Sequence, residues 1–251
     1  IPQDFDPTPP LDVVVYVHGF NNCITNVLGE VGGPCTPDGP ARSAFQLATQ
    51  LEASGRNAIL VLPEVAYDQA TGDPGMLGTA GGFRALLDAT FANLPAPLGP
   101  LDPATVGATI IAVHSGGYRA VAAMATIGDV PVDELWLFDS LYGSVASFDA
   151  WIKDDLASFA GAAPARRFAN VYTSGGGTLT NSEAMADRAA GWVAADPSVL
   201  VDDRTTATWT DDVYHHGLLF KRSGLSHDGV PGYYFEHMLA TSANLRAAAC
   251  P

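Results

Sequence analysis

Ser115 ends an apolar run of residues and is followed directly by Gly116 and Gly117. This pattern is typical of a buried strand that turns sharply into a helix, with the serine at the apex of the turn. Two glycines permit the strained backbone of such a turn, which presents the serine hydroxyl above the edge of a sheet. The pattern predicts a nucleophile at Ser115, and an ordinary glycine-rich strand–helix turn remains the alternative.

A serine hydroxyl becomes an effective nucleophile only when a neighbouring base removes its proton. Our candidate base is His227, which lies in a loop rich in Gly and Ser between the last predicted strand and the last predicted helix. The other histidines that follow Ser115 are weaker candidates. His237 falls inside the predicted closing helix, and His215 and His216 precede the last predicted strand, so we expect packed or solvated side chains there.

Asp139 directly follows the apolar run 135–138. A carboxylate in that position lies at the carboxyl edge of a parallel sheet, where it can orient the imidazole of His227 and stabilise its charged form. The alternative for Asp139 is a helix N-cap or turn residue. The fallback carboxylates for the same role are Glu183, Asp211 and Asp212.

The elements that must position these residues alternate along the chain. Continuously apolar runs are typical of parallel strands buried on both faces, and the segments between them are rich in Ala and Leu, as helices are. This alternation predicts an α/β fold with a mostly parallel sheet and helices on both faces. The predicted strands are 11–17, 57–62, 109–113, 135–138, 168–172 and 218–221. The predicted helices are 41–53, 81–93, 118–127, 148–160, 182–195 and 235–247, and 202–212 is predicted to be a loop or an edge hairpin.

The first apolar run, 11–17, ends in His18-Gly19-Phe20. With this turn and the Ser115 turn, the chain resembles the α/β-hydrolase superfamily, in particular its lipases, esterases and cutinases. The resemblance implies a compact α/β-hydrolase fold with no large lid, in a single domain over residues 1–251. The chain order of nucleophile, acid and histidine in that superfamily is the order found here.

The same resemblance implies an oxyanion hole, because relatives use the N–H after the nucleophile and an N–H of the first turn. The donors here are Gly116 and Phe20, with Asn21 as a second candidate. We expect His18 to be a buried residue that braces its loop. The turn departs from the superfamily pattern G-x-S-x-G at Val113, where a valine replaces the first glycine and adds bulk beside the helix.

Composition limits the classes of partner. The chain of 251 residues has 27 acidic against 12 basic residues and a net charge of −15, so nucleic acids and anionic membranes should be repelled. Hydrophobic residues make up 47%, enough for a large core. No apolar run approaches the roughly 20 residues of a membrane-spanning helix, so we expect no integral membrane association.

Cys23 and Cys35 lie in one loop rich in Asn, Gly and Pro. We expect a disulfide between them, although a pairing that involves Cys250 stays open. A disulfide favours an oxidising compartment, and the first residue, Ile1, indicates a processed or trimmed start. We therefore expect a secreted or periplasmic protein.

These observations predict a secreted serine hydrolase that cleaves carboxylic esters through an acyl-enzyme intermediate, with Ser115, His227 and Asp139 as the triad. The substrate is expected to be a small-molecule or polymeric ester, and no cofactor or metal is required. Two alternatives remain: an amidase or peptidase with the same triad, and a non-catalytic binding protein of the same fold.

Overall fold

A seven-stranded parallel sheet forms the centre of the computed structural model. The structure describes residues 1–65, 72–94, 98–175 and 177–248. At residues 211 and 212 it describes the backbone but not the side chains. The order of the strands across the sheet is β2-β1-β3-β4-β5-β7-β6, and every pairing is parallel. The strands are β1 Leu11–Val17, β2 Ala58–Val61, β3 Val106–His114, β4 Glu134–Phe138, β5 Arg167–Thr173, β6 Leu200–Asp203 and β7 Leu218–Ser223.

Helices cover both faces of this sheet. The helices α3 to α6 pack on one face, and α1, α2 and α7 pack on the other. Their bounds are α1 Ile24–Leu28, α2 Leu47–Ala53, α3 Gly82–Ala92, α4 Tyr118–Ile127, α5 Val145–Asp154, α6 Leu179–Trp192 and α7 Gly229–Ala240. Short 3₁₀ segments occupy Gly75–Gly78, Pro103–Thr105, Ser115–Gly117, Leu156–Phe159 and Asp211–His215. No helix within the described ranges is both long and apolar enough to cross a lipid bilayer.

The side chains of β1 divide between the two faces as a strand of period two requires. Val13 and Val15 pack with α3 to α6, whereas Val14 and Tyr16 pack with α1, α2 and α7. All residues of β1 are buried. The continuously apolar sequence of this strand therefore reflects a position with helices above and below it, and the predicted fold class is confirmed.

Four predicted helices differ from the structure by three residues or more at their starts, and α5 and α6 begin at Val145 and Leu179, three residues before the predicted starts. The helix predicted over 41–53 begins only at Leu47, because Gln46 adopts a left-handed backbone with φ of 57° and no helical turn passes through it. The closing helix begins at Gly229 and ends at Ala240, not over 235–247. Pro231 lies in its first turn, where the missing N–H of proline costs no helical hydrogen bond.

The predicted loop or hairpin over 202–212 is also wrong in part. Residues Leu200–Asp203 form the edge strand β6, which pairs in parallel with β7. The last strand in the chain, β7, is therefore not at the edge: it lies between β5 and β6. The loop after β7 reaches the same sheet edge as the loops after β1, β3 and β4.

Candidate active site

Ser115 occupies the turn between β3 and α4 with φ of +54°, in the left-handed region. A non-glycine residue persists there only when its surroundings hold it, and such strain is common at active sites. Ser140, which follows β4, supplies one restraint: its hydroxyl donates a hydrogen bond to the Ser115 carbonyl at 2.6 Å. The turn therefore holds the serine side chain at the carboxyl edge of the sheet.

Val113, the departure from the superfamily pattern, is accommodated by the second glycine of the turn. A Cβ built at Gly117 would lie 2.8 Å from Cγ2 of Val113, 2.8 Å from Cγ1 of Val17 and 2.9 Å from the carbonyl of His18. The missing side chain at Gly117 leaves the space that both valines fill. The bulk at Val113 is thus compatible with the strained turn.

The loop after β1 passes directly beside the serine. A Cβ at Gly19 would lie 2.6 Å from Cβ of Ser115 and 3.2 Å from its hydroxyl oxygen. The next residue, Phe20, is 41% exposed. In the described part of the chain, the N–H groups of Phe20 and Asn21 donate no hydrogen bond. They are free donors close to Ser115, and the buried Gly116 follows Ser115 in the turn.

His18 is buried and braces this loop, as its sequence position suggested. Its Nε2 lies 3.0 Å from a carboxylate oxygen of Glu64 and accepts a hydrogen bond from the N–H of Val65 at 3.3 Å. Its Nδ1 contacts the carbonyl of Gly19 at 2.9 Å. These contacts join the loop after β1 to the loop after β2 and fix the backbone that carries Phe20.

Asp139 and His227 are joined directly. Nδ1 of His227 donates a hydrogen bond to Oδ2 of Asp139 at 2.7 Å. Asp139 is fully buried and also accepts hydrogen bonds from the hydroxyls of Thr173 and Thr178 and from the N–H of Thr173. Burial acts to raise the pKa of Asp139, but the hydrogen bonds from His227, Thr178 and Thr173 outweigh it and hold the pKa below its ordinary value.

Ser115 and His227 line one small cleft of about 190 Å³. No hydrogen bond joins their side chains, although both residues belong to the described part of the chain. Catalytic hydrogen bonds are often long before a substrate binds. The side chain of His227 is 32% exposed, so its free face meets solvent and an entering ligand.

His114, which was not singled out from the sequence, directly precedes Ser115 and contacts His227. It is buried, and its ring centroid lies 4.4 Å from that of His227 at 38° and 5.1 Å from that of Phe45. Burial, together with the nearby His227, lowers the pKa of His114 to about 3. His114 is therefore neutral at ordinary pH and does not compete for the proton that His227 carries.

Tyr142 lies on another side of His227. Its ring lies 6.4 Å from that of His227 and 6.2 Å from that of Tyr118. Burial and the charge of Asp139 raise the pKa of Tyr142 to about 12, and a polar contact with Ser115 acts in the opposite direction. The phenol is therefore protonated at neutral pH and faces the serine as a potential donor.

The remaining sequence candidates lie elsewhere. His237 of α7 stacks on Tyr214 of the 3₁₀ segment Asp211–His215, with centroids 5.3 Å apart, and His216 bonds to the carbonyl of Val213. His215 ends a 3₁₀ segment and Glu183 lies on α6, while the side chains of Asp211 and Asp212 are not described. Cys23 and Cys35 form a disulfide with Cα atoms 5.9 Å apart, and Cys250 lies outside the described residues.

The residues missed from the sequence share one property, a polar side chain at the end of an apolar strand. His114 ends β3, and Thr173 ends β5. The segment after β5 contains no carboxylate, yet its hydroxyls at Thr173 and Thr178 are the partners that hold Asp139. Polar residues that end neighbouring strands of a parallel sheet were the signal for this set.

A cation could find ligands at the same edge. His114, His227 and Asp228 place donor atoms within 4.8 Å of one another. However, Nε2 of His114 already donates to the carbonyl of His227 at 3.2 Å, and Nδ1 of His227 is bonded to Asp139. The second nitrogen of each ring, Nδ1 of His114 and Nε2 of His227, has no hydrogen-bond partner among the described residues and is the atom that a cation would meet.

Among known proteins, the chain is similar to solved structures in its fold. No family model matches the chain, and no curated protein matches it in sequence. One similar solved structure is the S954A mutant of a feruloyl esterase module from Clostridium thermocellum complexed with sinapinate. It is 12% identical, with a TM-score of 0.57 over 100% of this chain and 84% of that chain. A second solved structure, described as FAE, is 11% identical and has a TM-score of 0.56. The match covers 96% of this chain and 80% of that chain. The likeness establishes an α/β-hydrolase-like fold.

Proposed function

We propose that the protein is a serine hydrolase that cleaves carboxylic esters through a triad of Ser115, His227 and Asp139. The observation that carries the proposal is the 2.7 Å hydrogen bond from His227 to Asp139, beside a serine held at φ of +54°. A buried carboxylate fixes the tautomer of a histidine that is open on its other side. A strained serine in the same cleft is the group that such a histidine activates.

The proposed reaction begins when Nε2 of His227 removes the proton of the Ser115 hydroxyl. The serine oxygen attacks the ester carbonyl, and the resulting oxyanion accepts hydrogen bonds from the N–H groups of Phe20 and Gly116, with Asn21 as a second candidate. His227 then gives its proton to the departing alcohol as the carbon–oxygen bond breaks. Water, deprotonated by His227, releases the acyl group and restores Ser115.

Asp139 has two parts in this scheme. Its lowered pKa keeps the carboxylate ionised, so that it stabilises the imidazolium formed at each proton transfer. Its hydrogen bonds with Thr173 and Thr178 fix the carboxylate and therefore the orientation of the His227 ring. Asp139 remains ionised throughout and accepts no proton.

An ester substrate is supported by the fold neighbour, which is a feruloyl esterase module. The substrate is a small-molecule or polymeric ester, and neither cofactor nor metal enters the scheme. An amidase or peptidase would use the same groups, but it must protonate a poorer leaving group. Paired ester and amide substrates of equal shape separate the two activities, because only the leaving atom differs.

The disulfide between Cys23 and Cys35 supports a secreted or periplasmic location, where oxidising conditions preserve it. The net charge of −15 argues against a nucleic-acid partner. We further propose that residues 1–251 form a single hydrolase domain, since the sheet gathers strands from both halves of the chain.

A fluorophosphonate probe tests the proposal, because it reacts with activated serines. We expect the wild-type protein to be labelled and Ser115→Ala to remain unlabelled. Ser198→Ala is the matched control, since Ser198 is exposed and its side chain bonds only to Asp196 among the described residues. Absence of labelling in the folded wild type, or labelling that survives Ser115→Ala, would overturn the triad.

A further inference from the structure

Arg42 brings a positive charge to the cleft that contains Ser115. The cleft has a volume of about 190 Å³, and its wall combines the nucleophile, the base and the loop after β1. Its lining residues are Phe20, Asn21, Asn22, Arg42, His114, Ser115, His227 and Asp228. An entering ester therefore meets the Arg42 side of the cleft beside the reacting serine.

The Arg42 side chain has no partner among the described residues, in which it makes neither a hydrogen bond nor an ion pair. Several other cations form ion pairs with carboxylates, among them Arg167 with Glu134, Arg188 with Asp149, and Lys221 with Asp203. The half-buried Arg56, Arg84 and Arg222 donate instead to carbonyl or hydroxyl oxygens, so Arg42 differs from them in having no acceptor among the described residues. A charge removed in part from water is costly unless a partner compensates it.

Asp228, the carboxylate that shares the cleft, does not neutralise Arg42. It accepts a hydrogen bond from the hydroxyl of Ser43 at 2.8 Å and forms no ion pair with the neighbouring guanidinium. Asp228 is held by the residue after Arg42 in sequence. The guanidinium therefore keeps its donors for a group that comes from outside.

The backbone around Arg42 is fixed from several sides. Its N–H donates to the carbonyl of Gly33 at 3.0 Å, and Asn22 donates to the carbonyl of Ser43 at 3.2 Å. A β-bridge joins Pro34 to Ala41, and the disulfide from Cys35 to Cys23 closes the same loop. This loop is built as a support that presents the Arg42 side chain beside the nucleophile.

We propose that Arg42 binds a carboxylate carried by the substrate, so that the enzyme selects esters with a second, anionic group. The inference rests on the proposed ester hydrolysis at Ser115. A guanidinium matches a carboxylate with two parallel hydrogen bonds, and such charge-assisted pairs are the strong ones. Because the protein as a whole repels anions, a local cation is needed to retain one at the cleft.

Two matched substrate pairs test the proposal. The first pair, 4-acetoxybenzoate and 4-acetoxybenzamide, differs only by a charge on the alcohol side. The second pair, the phenyl monoester of adipic acid and its terminal methylamide, differs only by a charge on the acyl side. We expect the wild-type kcat/KM to favour the anionic member of one pair by about 10-fold, the effect of one charge-assisted hydrogen bond.

Variants of Arg42 test whether this residue causes the preference for anionic esters. In Arg42→Met the preference should fall to near parity, mainly through KM, and Arg42→Lys should retain part of it because the charge remains. Arg42→Glu should reverse it. Lys153→Gln removes one positive charge at the far end of α5 and should leave the preference unchanged.

The outcomes separate the two proposals. Hydrolysis of all esters without an anionic preference in the wild type, or with one that Arg42→Met retains, overturns the role of Arg42 and leaves the hydrolase intact. A wild type that hydrolyses no ester and binds no fluorophosphonate overturns both. Arg42→Met, Arg42→Lys and Arg42→Glu each test the same residue independently, so the test stands even if one of these variants fails to fold.

Discussion

His114 holds the backbone of the residue that we propose as the base. Its Nε2 donates a hydrogen bond to the carbonyl of His227 at 3.2 Å, and the two rings lie 4.4 Å apart. Because a carbonyl can only accept, the neutral His114 carries its proton on Nε2. Its buried Nδ1 has no partner within the described residues. His114, the residue before Ser115, thus positions the loop that carries His227.

Replacement of His114 by phenylalanine should lower kcat/KM about 10- to 100-fold, because a small displacement of a catalytic group has effects of that size. The phenyl ring keeps the packing against His227 but loses the donor to its carbonyl. His114→Gln can restore a donor near the position of Nε2 and should recover part of the loss. Steady-state kinetics on a neutral ester measure both variants, and a wild-type rate in His114→Phe would contradict the positioning role.

His114 should also make the stability of the fold depend on pH. Its pKa is lowered to about 3 in the folded protein, whereas the unfolded chain has a histidine pKa of about 6.5. Between these two pH values His114 is protonated in the unfolded state but not in the folded state. Its contribution to the free energy of unfolding is therefore complete above the unfolded pKa and is lost progressively as the pH falls towards 3. The slope from this group reaches about 1.4 kcal/mol per pH unit.

Urea denaturation of wild type and His114→Phe from pH 8 to pH 4 isolates this contribution, because carboxylates titrate alike in both proteins. The wild type should lose more stability on acidification than the variant. Parallel curves for the two proteins would show that His114 takes up its proton in the folded state as well.

Asp139→Asn should reduce kcat by a factor on the order of 10⁴ while the protein remains folded, because an amide neither fixes the tautomer of His227 nor stabilises its charge. Thr173 and Thr178 can reorient their hydroxyls around the amide. Asp149→Asn, which breaks an ion pair with Arg188 instead, is the control and should keep its activity. Near-normal turnover in Asp139→Asn would move the acid role to another carboxylate.

Gly19→Ala should slow fluorophosphonate labelling strongly, since its new Cβ would lie 2.6 Å from Cβ of Ser115 and must displace the loop or the serine. Gly33→Ala is the matched control, because a Cβ there meets no atom within 4 Å. Labelling rates and thermal unfolding should be measured together for both variants. Equal labelling of the two would mean that the loop after β1 yields without affecting the nucleophile.

The sequence was sufficient to predict the elements that are uniformly apolar or clearly punctuated. The bounds of β1 at Leu11–Val17 and of α4 at Tyr118–Ile127 match the prediction. The edge strand β6 was missed because its sequence, Leu200–Asp203, is half polar and pairs on one side only. The late start of α2 depends on the left-handed Gln46, which tertiary contacts impose and no local residue preference signals.

The site residues predicted from the sequence each follow a strand. The parallel topology brings the ends of these strands together at the carboxyl edge of the sheet. The bond between Asp139 and His227 joins such a pair. The contribution of Arg42 could not be inferred, because its loop reaches the cleft through contacts with Gly33 and Asp228. A contact between loops that are distant in sequence leaves no periodic pattern in either.

Ser115 and Asp139 adopt a left-handed backbone, with φ of +54° and +45°. The conformation that the proposed site requires therefore lowers the thermal stability of the fold. A residue with a Cβ adopts this conformation at a cost of about 1 kcal/mol or more, which glycine avoids. Ser115→Gly should therefore melt above Ser115→Ala, although neither retains the hydroxyl. Directed evolution of this protein for heat resistance alone would drift towards glycine at Ser115, so any such selection must score turnover in the same round. At Asp139 the hydrogen bonds with His227, Thr173 and Thr178 outweigh the strain and retain the aspartate.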